Sequence, residues 1–379
     1  MTTGSPDLLV PAGSTWDQLF PALRTLLHEA SGDEVGDRAD EPCVVVATSG
    51  SSGTPKRVRL PASALRASGE ATAEVLDGHG RWVLALPTHH VAGLQVLARS
   101  VLAGTEPVAL PAGPFTGGAF ASAVSRAGGG SPTYASLVPT QVHRLLQDAD
   151  GTAALASLDA VLVGGAAADP GLLRHAREAG ARVVTTYGMS ETAGGCVYDG
   201  VPLPGVVARL DPVDQRIHLA GPVLAQGYAD APDLTSTAFQ VLEGRRWFVT
   251  GDRGSWQGGR LRVLGRVDDV IVTGGHKVEP RDVETALRAL PGVTDAVVVG
   301  VPDEEWGQVV AAVVVPSRPT DPADDLARLR AALAPTLPAH ALPRQVVLRD
   351  AIPLLPSGKP DPARAGALLR AAASPSAEG

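Results

Sequence analysis

Apolar residues along the chain fall into two rhythms. Short apolar runs such as Val44-Val45-Val46 and Val161-Leu162-Val163 alternate with longer stretches in which apolar residues return every three or four positions. The first rhythm predicts buried strands and the second amphipathic helices. The pattern predicts a helix over 12–30 with Leu19, Leu23, Leu26 and Leu27 on one face, a polar linker over 31–42, a buried strand over 43–47 and an alternating strand over 57–60. A helix over 62–75 and a strand over 82–86 follow, then a helix to about 103 with Leu94, Leu97, Val101 and Leu102 inside. One helix, over 119–126, is expected in the Gly-, Ala- and Ser-rich stretch 111–132. Next come a strand over 134–138, a helix from 139 through 146 and a strand over 160–163. A helix with Pro170 near its first turn and Gly180 just past its end precedes a strand over 182–184. This alternation marks an α/β domain with a largely parallel sheet, where ligands bind at the carboxyl ends of strands. The loops 87–93, 164–168 and 187–192 are expected to face one crevice.

From residue 217 the rhythm changes to short strands, over 217–220, 247–249 and 261–264. Residues 281–370 read as a small α+β unit, with strands over 296–299, 309–315 and 346–348 and helices over 281–290, 324–333 and about 361–372. The tail 373–379 is expected to be disordered. At 379 residues the chain suggests two or three domains. It is 44% hydrophobic with a net charge of −8, so nothing points to a nucleic-acid partner over the whole surface. No run approaches the ~20 apolar residues of a membrane span, and residues 1–11 lack the pattern of a signal peptide. The two cysteines, Cys43 and Cys196, form no disulfide or metal-ligand spacing, which fits a reducing cytoplasm.

Several stretches carry candidate chemistry. Thr48-Ser49-Gly50-Ser51-Ser52-Gly53-Thr54-Pro55-Lys56 is the densest in small and hydroxylated residues. Glycines let backbone N–H groups close on an anion, and Lys56 adds a point charge. The loop lacks the Gly-Lys-Ser/Thr helix start of a P-loop, because Pro55 precedes the lysine and a strand follows. The plain alternative is a polar turn. His89 and His90 stand at a strand end and open a helix, where they suit an anionic ligand or a packed-and-solvated loop pair. Arg99 sits inside an apolar helix, so it either snorkels to water or clamps a carboxylate. In Tyr187-Gly188-Met189-Ser190-Glu191-Thr192, the tyrosine can stack on a base, the serine can bond a phosphate and Glu191 suits Mg²⁺; a helix start is the alternative. Thr250-Gly251-Asp252 caps a strand, with Asp252 either on a ribose diol or in a tight turn. Residues 265–280 crowd charges before Gly274-Gly275 and suit an interdomain linker, and Ser357-Gly358-Lys359 is either a solvated tip or a mobile catalytic cation.

Taken in order, Thr48–Lys56, His89–Gly93, Gly164-Gly165-Ala166, Tyr187–Glu191, Thr250–Asp252, residues 265–284 and Ser357–Lys359 resemble the motif set of the adenylate-forming superfamily, which includes acyl- and aryl-CoA ligases, luciferase and peptide-synthetase adenylation domains. The stretches 86–94 and 137–146, with Arg99, resemble the o-succinylbenzoate–CoA ligases of menaquinone biosynthesis in a short actinobacterial form. The resemblance implies a large N-terminal α/β domain with mostly parallel sheets plus a small β-subdomain over 1–264, a hinge at 265–269 and a small mobile C-terminal α+β domain over 270–379. It implies that an acid attacks ATP to give an acyl-adenylate, from which CoA displaces AMP. Mg²⁺ is the implied cofactor, and ATP, CoA and a small carboxylic acid are the implied partners, with no nucleic acid, no membrane insertion and a homodimer left open.

The same resemblance assigns Thr48, Ser49, Gly50, Ser51, Ser52, Gly53, Thr54 and Lys56 to the β- and γ-phosphates. Gly164, Gly165, Ala166 and Tyr187 would line the adenine, Ser190 would meet the α-phosphate and Glu191 would bind Mg²⁺. Asp252 would take the ribose hydroxyls with Arg266 beside it, and Asp268 would be the hinge. Gly274 and Gly275 would edge the thiol tunnel, and Lys359 would bridge carboxylate and α-phosphate. His90 would lie against the acyl group, and Arg99 would meet its remote carboxylate. The chain departs from the pattern in its short region before Thr48 and in Ser-Gly-Lys-Pro-Asp, where the usual basic residue is displaced to Arg364. The alternatives are another aryl- or acyl-CoA ligase and a non-catalytic nucleotide-binding protein.

Overall fold

The structure, a computed structural model, describes residues 7–29, 41–48, 56–318, 322–354 and 360–373. Most of the predicted linker over 31–42 and of the tail over 373–379 lies outside the described residues. Two compact units are present: one of residues 1–209, 218–250 and 256–261, the other of 210–217, 251–255 and 262–379.

The first unit opens with β1 (Leu8–Val10), α1 (Trp16–Glu29), β2 (Cys43–Thr48), β3 (Lys56–Pro61) and α2 (Ala62–Val75). These are followed by β4 (Arg81–Leu84), α3 (Val91–Leu102), β5 (Val108–Ala109), α4 (Gly117–Ala127), β6 (Thr133–Leu137), α5 (Pro139–Leu146) and α6 (Ala149–Ala156). Then come β7 (Ala160–Val163), α7 (Pro170–Glu178), β8 (Val183–Met189), β9 (Gly194–Tyr198), β10 (Val201–Pro202), β11 (Val207–Leu210) and β12 (Arg216–Ala220). After β13 (Gly227–Tyr228) lie α8 (Pro232–Ala238), β14 (Phe239–Leu242), β15 (Arg245–Gln257) and β16 (Arg260–Arg266), the last two strands having residues in both units.

The seven-stranded sheet runs β10–β9–β8–β7–β6–β4–β5. Its strands β5, β4, β6, β7 and β8 are parallel, and β9 and β10 return antiparallel. Every residue of β6 and β7 is buried, as expected of strands covered on both faces. Alternation assigns the two faces. Trp82 and Tyr134, paired in register with ring centroids 5.1 Å apart, lie on the face that meets α3. Val83, Ala135 and Val161 pack on the other with Phe120, Leu145 and Leu155 from α4, α5 and α6. The smaller sheet, β1–β2–β3–β13, is parallel only at β1–β2. The seven residues between β2 and β3 are too few for a parallel crossover, so the two strands form a hairpin. A third sheet has the order β11–β12–β15–β14, with β16 on β15.

The second unit contains β17 (Ile271–Thr273), β18 (His276–Val278), α9 (Pro280–Arg288), β19 (Val293–Asp303), β20 (Gly307–Pro316), α10 (Pro322–Leu333), β21 (Gln345–Leu348) and α11 (Pro362–Ala373). Its sheet runs β18–β17–β20–β19, with β21 parallel to β20. Along β20, Val310, Ala312 and Val314 pack with Val283, Leu287, Leu329 and Leu333 of α9 and α10. Val309, Ala311 and Val313 pack with Ala365 and Leu369 of α11.

Two expectations change. Tyr187-Gly188-Met189 is strand rather than loop, because β9 folds back and pairs with it. Thr250-Gly251-Asp252 neither caps a strand nor turns; it lies inside β15, whose extended backbone runs on to Gln257. Residues 265–280, expected to link two domains, hold the end of β16, a 3₁₀ turn at Val267–Asp269 and the β17–β18 hairpin. No helix among the described residues is long and apolar enough to cross a membrane. Cys43 and Cys196 are buried and free, and burial pushes their thiols up to about 11 and about 12.

Candidate active site

Parallel pairing puts the carboxyl ends of β4, β7 and β8 on one edge of the large sheet. Past β4, the Thr88 hydroxyl donates to the Ser14 carbonyl at 2.6 Å, and the His90 N–H to that of Pro87 at 3.2 Å. The His89 and His90 rings lie 4.4 Å apart. A Cβ on Gly93, in the first turn of α3, would stand 2.2 Å from the Pro87 carbonyl oxygen, so only glycine lets this helix start so close to the strand exit. Past β7, a Cβ on Gly164 would stand 2.2 Å from the Thr186 hydroxyl of β8, Gly165 has φ +80°, and Ala166 is exposed. At the end of β8, the ladder shifts between Tyr187 and Gly188 and gives way to a 3₁₀ turn at Ser190–Thr192. The Thr192 hydroxyl accepts the Met189 N–H at 3.0 Å, and Gln95 of α3 donates to the Ala193 carbonyl at 2.6 Å. The half-buried Glu191 thus stands on a turn held by a helix.

Its carboxylate has one hydrogen bond among the described residues: the Tyr228 hydroxyl donates to Oε1 at 2.8 Å. Burial, then the charge and the hydrogen bond of Glu191, push the Tyr228 hydroxyl well up, so it stays a donor at neutral pH. The Lys56 ammonium stands 5.5 Å from the centroid of the same ring. Lys56 and Thr48 are partners in the β2–β3 register, so the two ends of the Ser49–Pro55 stretch are held side by side. Behind Tyr228, Arg246 donates to the Ala225 and Gln226 carbonyls at 2.8 and 2.7 Å, and the Ala225 N–H donates to the Glu191 carbonyl at 2.9 Å. Tyr228 has little sequence signal: a two-residue strand shows no periodicity, and only the Gly227-Tyr228 pair before Pro232 marks it.

No group of three or more His, Cys, Asp or Glu among the described residues could hold a metal. A lone carboxylate with Oε2 left over nevertheless fits Mg²⁺, which typically takes one or two protein carboxylates and shares the rest of its shell with waters and phosphate oxygens.

Arg99 does not snorkel. It is 4% exposed, its guanidinium lies 4.9 Å from the Trp82 ring centroid, and Nη2 donates to the Tyr198 hydroxyl at 3.2 Å. That hydroxyl is also 3.0 Å from the Thr72 hydroxyl. The buried Nε has no partner, and no carboxylate among the described residues pairs with the guanidinium. A buried cation in this state carries a large unmet demand for an anion.

In the second unit, the Arg266 guanidinium reaches Asp252 at 3.9 Å and Asp268 at 3.7 Å. A Cβ on Gly251 would stand 2.6 Å from Nη2, so glycine makes room for that guanidinium. Arg253 pairs with Glu279 and also donates to the Asp214 carbonyl at 3.1 Å. Burial raises the Glu279 carboxyl against the pull of Arg253. Gly274 and Gly275, at φ +54° and +79°, form the two-residue tip of the β17–β18 hairpin, the conformation that favours a Gly pair. The Gly274 N–H donates to the Trp306 carbonyl at 3.0 Å. Ser49, Gly50, Ser51, Ser52, Gly53, Thr54 and Lys359 lie outside the described residues.

Residues 11–228 match the AMP-binding enzyme family, and residues 282–359 match the AMP-binding enzyme C-terminal domain. The chain belongs to the AMP-binding enzyme family. It is 43% identical over 377 residues to a probable 2-succinylbenzoate–CoA ligase of Mycobacterium tuberculosis, covering 93% of this chain and 96% of that one. It is 33% identical over 319 residues to the 2-succinylbenzoate–CoA ligase of Escherichia coli, covering 81% and 65%. A solved structure of the o-succinylbenzoate CoA synthetase of Bacillus subtilis, in complex with its acyl-adenylate intermediate, superposes with a TM-score of 0.73 at 27% identity, covering 88% of this chain and 69% of that one.

For this AMP-binding enzyme, the start of α3 gives a direct test of the packing that carries His90. Gly93→Ala should cost about 1–3 kcal/mol, because its Cβ meets backbone atoms that cannot swing away. Gly118→Ala, whose Cβ meets nothing within 4 Å, should be neutral or slightly stabilising. Thermal unfolding of both proteins checks this; equal midpoints would contradict it.

Proposed function

We propose that the chain is an AMP-forming acid–CoA ligase that converts 2-succinylbenzoate, ATP and CoA to succinylbenzoyl-CoA, AMP and diphosphate, as in menaquinone biosynthesis. Arg99 is the observation that carries the choice of acid. Its guanidinium is buried without a protein carboxylate, on the helix that begins beside His90. The near-full-length likeness to the mycobacterial ligase supports the same reading.

In the proposed first half-reaction, the substrate carboxylate attacks the α-phosphorus of ATP, the bond to the β-phosphate oxygen breaks and diphosphate leaves. Two anions must meet, so this chain contributes mainly positioning and positive charge. Thr48–Lys56 holds the β- and γ-phosphates, Ser190 the α-phosphate, and Gly164, Gly165, Ala166 and Tyr187 the adenine. Asp252 takes the ribose with Arg266 beside it, and Lys359 bridges carboxylate and α-phosphate. Glu191 would hold Mg²⁺, which when bound neutralises phosphate charge. In the second half-reaction, the CoA thiol attacks the acyl carbon and AMP leaves. Asp268 is the proposed hinge of the 270–379 lid, and Gly274 and Gly275 the edge of the thiol path.

Diphosphate release measured over a panel of carboxylic acids, with and without CoA, tests the assignment. Release with 2-succinylbenzoate above other aryl and acyl acids supports it. A preference for another acid moves the chain to a different ligase, and no release with any acid leaves a binding protein. Lys359→Ala should lower the first half-reaction by roughly 10²–10³-fold, the scale of removing one charge-stabilising donor, and largely spare thioester formation from supplied adenylate. Equal loss in both would contradict its role. Arg99→Gln should raise KM for the dicarboxylate by about 10–100-fold, as expected for a lost charge-assisted hydrogen bond. Unchanged kinetics would remove the clamp.

A further inference from the structure

We propose that Tyr228 is a positioning residue for the metal site: its hydroxyl fixes Oε1 of Glu191 so that Oε2 alone faces the Mg²⁺ bound with ATP. This rests on the reading of Glu191 given above.

Glu191 is on a 3₁₀ turn at the end of β8, and Tyr228 comes from β13, 37 residues later, on the edge of the other sheet. Neither local sequence nor a shared element brings them together. Tyr228 is 8% exposed and packs edge-on to Phe239 at 6.0 Å, so its ring has little room to swing. The segment before it is clamped by the two Arg246 hydrogen bonds, and the Ala225 N–H of that segment grips the Glu191 carbonyl. One clamped segment therefore holds both the backbone and the carboxylate of Glu191. A carboxylate with one oxygen tied to a hydroxyl presents the other at a set angle, as outer partners of metal ligands do. The other edge of the tyrosine is not idle. Its ring faces Lys56, the residue that closes the phosphate loop, at 5.5 Å. Tyr228 thus sets the spacing between the cation that would meet the phosphates and the carboxylate that would meet the metal.

Tyr228→Phe removes the hydroxyl and keeps the ring, with its contacts to Phe239 and Lys56. Calorimetric titration with the α,β-methylene analogue of ATP, in Mg²⁺ and again in EDTA, separates the contributions without turnover. In Mg²⁺ the variant should bind the analogue roughly tenfold more weakly, the low end of outer-partner effects; in EDTA it should match the wild type. In Glu191→Gln the metal gain should shrink, and adding Tyr228→Phe should cost nothing more. Equal weakening with and without metal, no weakening, or full additivity of the two substitutions would each overturn the proposal. The titration does not depend on the acid. If 2-succinylbenzoate fails as a substrate while the metal-dependent split persists, the substrate reading alone falls.

Discussion

The antiparallel return of β9 onto the end of β8 is the constraint on which the candidate site residues of the first unit depend. It needs Gly188, where a Cβ would stand 2.1 Å from the Gly194 carbonyl oxygen. Because the two strands pair so closely, the chain between them must turn within Ser190–Thr192, and Glu191 is held on that turn. The same hairpin is fastened to α3 at two places. Gln95 holds the Ala193 carbonyl at the tip, and Arg99, one helical turn on, meets the Tyr198 hydroxyl at the far end of β9. One hairpin and one helix therefore fix both the proposed metal ligand and the proposed acid clamp.

The two ends differ in their electrostatics. Glu191 is half-buried and has a neutral donor on one oxygen, which leaves its charge for a cation. Arg99 is buried with an aromatic face, one phenolic oxygen and an orphaned Nε. Leaving a buried cation without a counter-charge costs several kcal/mol. A substrate carboxylate that reaches the guanidinium would relieve that cost, and a monocarboxylic acid would not. This is the physical basis for preferring a dicarboxylate over the other acids the family can adenylate.

Much of the fold was legible in the sequence. The helix read over 62–75 is α2, residue for residue, and the apolar runs over 134–138 and 160–163 are β6 and β7, displaced by at most a residue. What escaped reading was short or locally misleading. The two-residue strands β5, β10 and β13 carry no period, and Thr250-Gly251-Asp252 has turn composition yet is pulled straight within β15. Within the site, the chemistry-bearing residues His90, Arg99 and Glu191 stood out, whereas their partners did not. Gln95 reaches Ala193 across 98 residues and Arg99 reaches Tyr198 across 99, and only the folded sheet brings such pairs together.

Activation of a dicarboxylic aromatic acid as its adenylate is the chemistry proposed for this chain. The most direct measurement is mass spectrometry of the enzyme mixed with 2-succinylbenzoate, ATP and Mg²⁺, first without CoA and then after its addition. A succinylbenzoyl-adenylate should appear, formed with one diphosphate per adenylate, and convert to succinylbenzoyl-CoA and AMP when CoA is added. Succinylbenzoyl-CoA formed with ADP and phosphate and no adenylate, or no nucleotide cleavage at all with this acid, would contradict it.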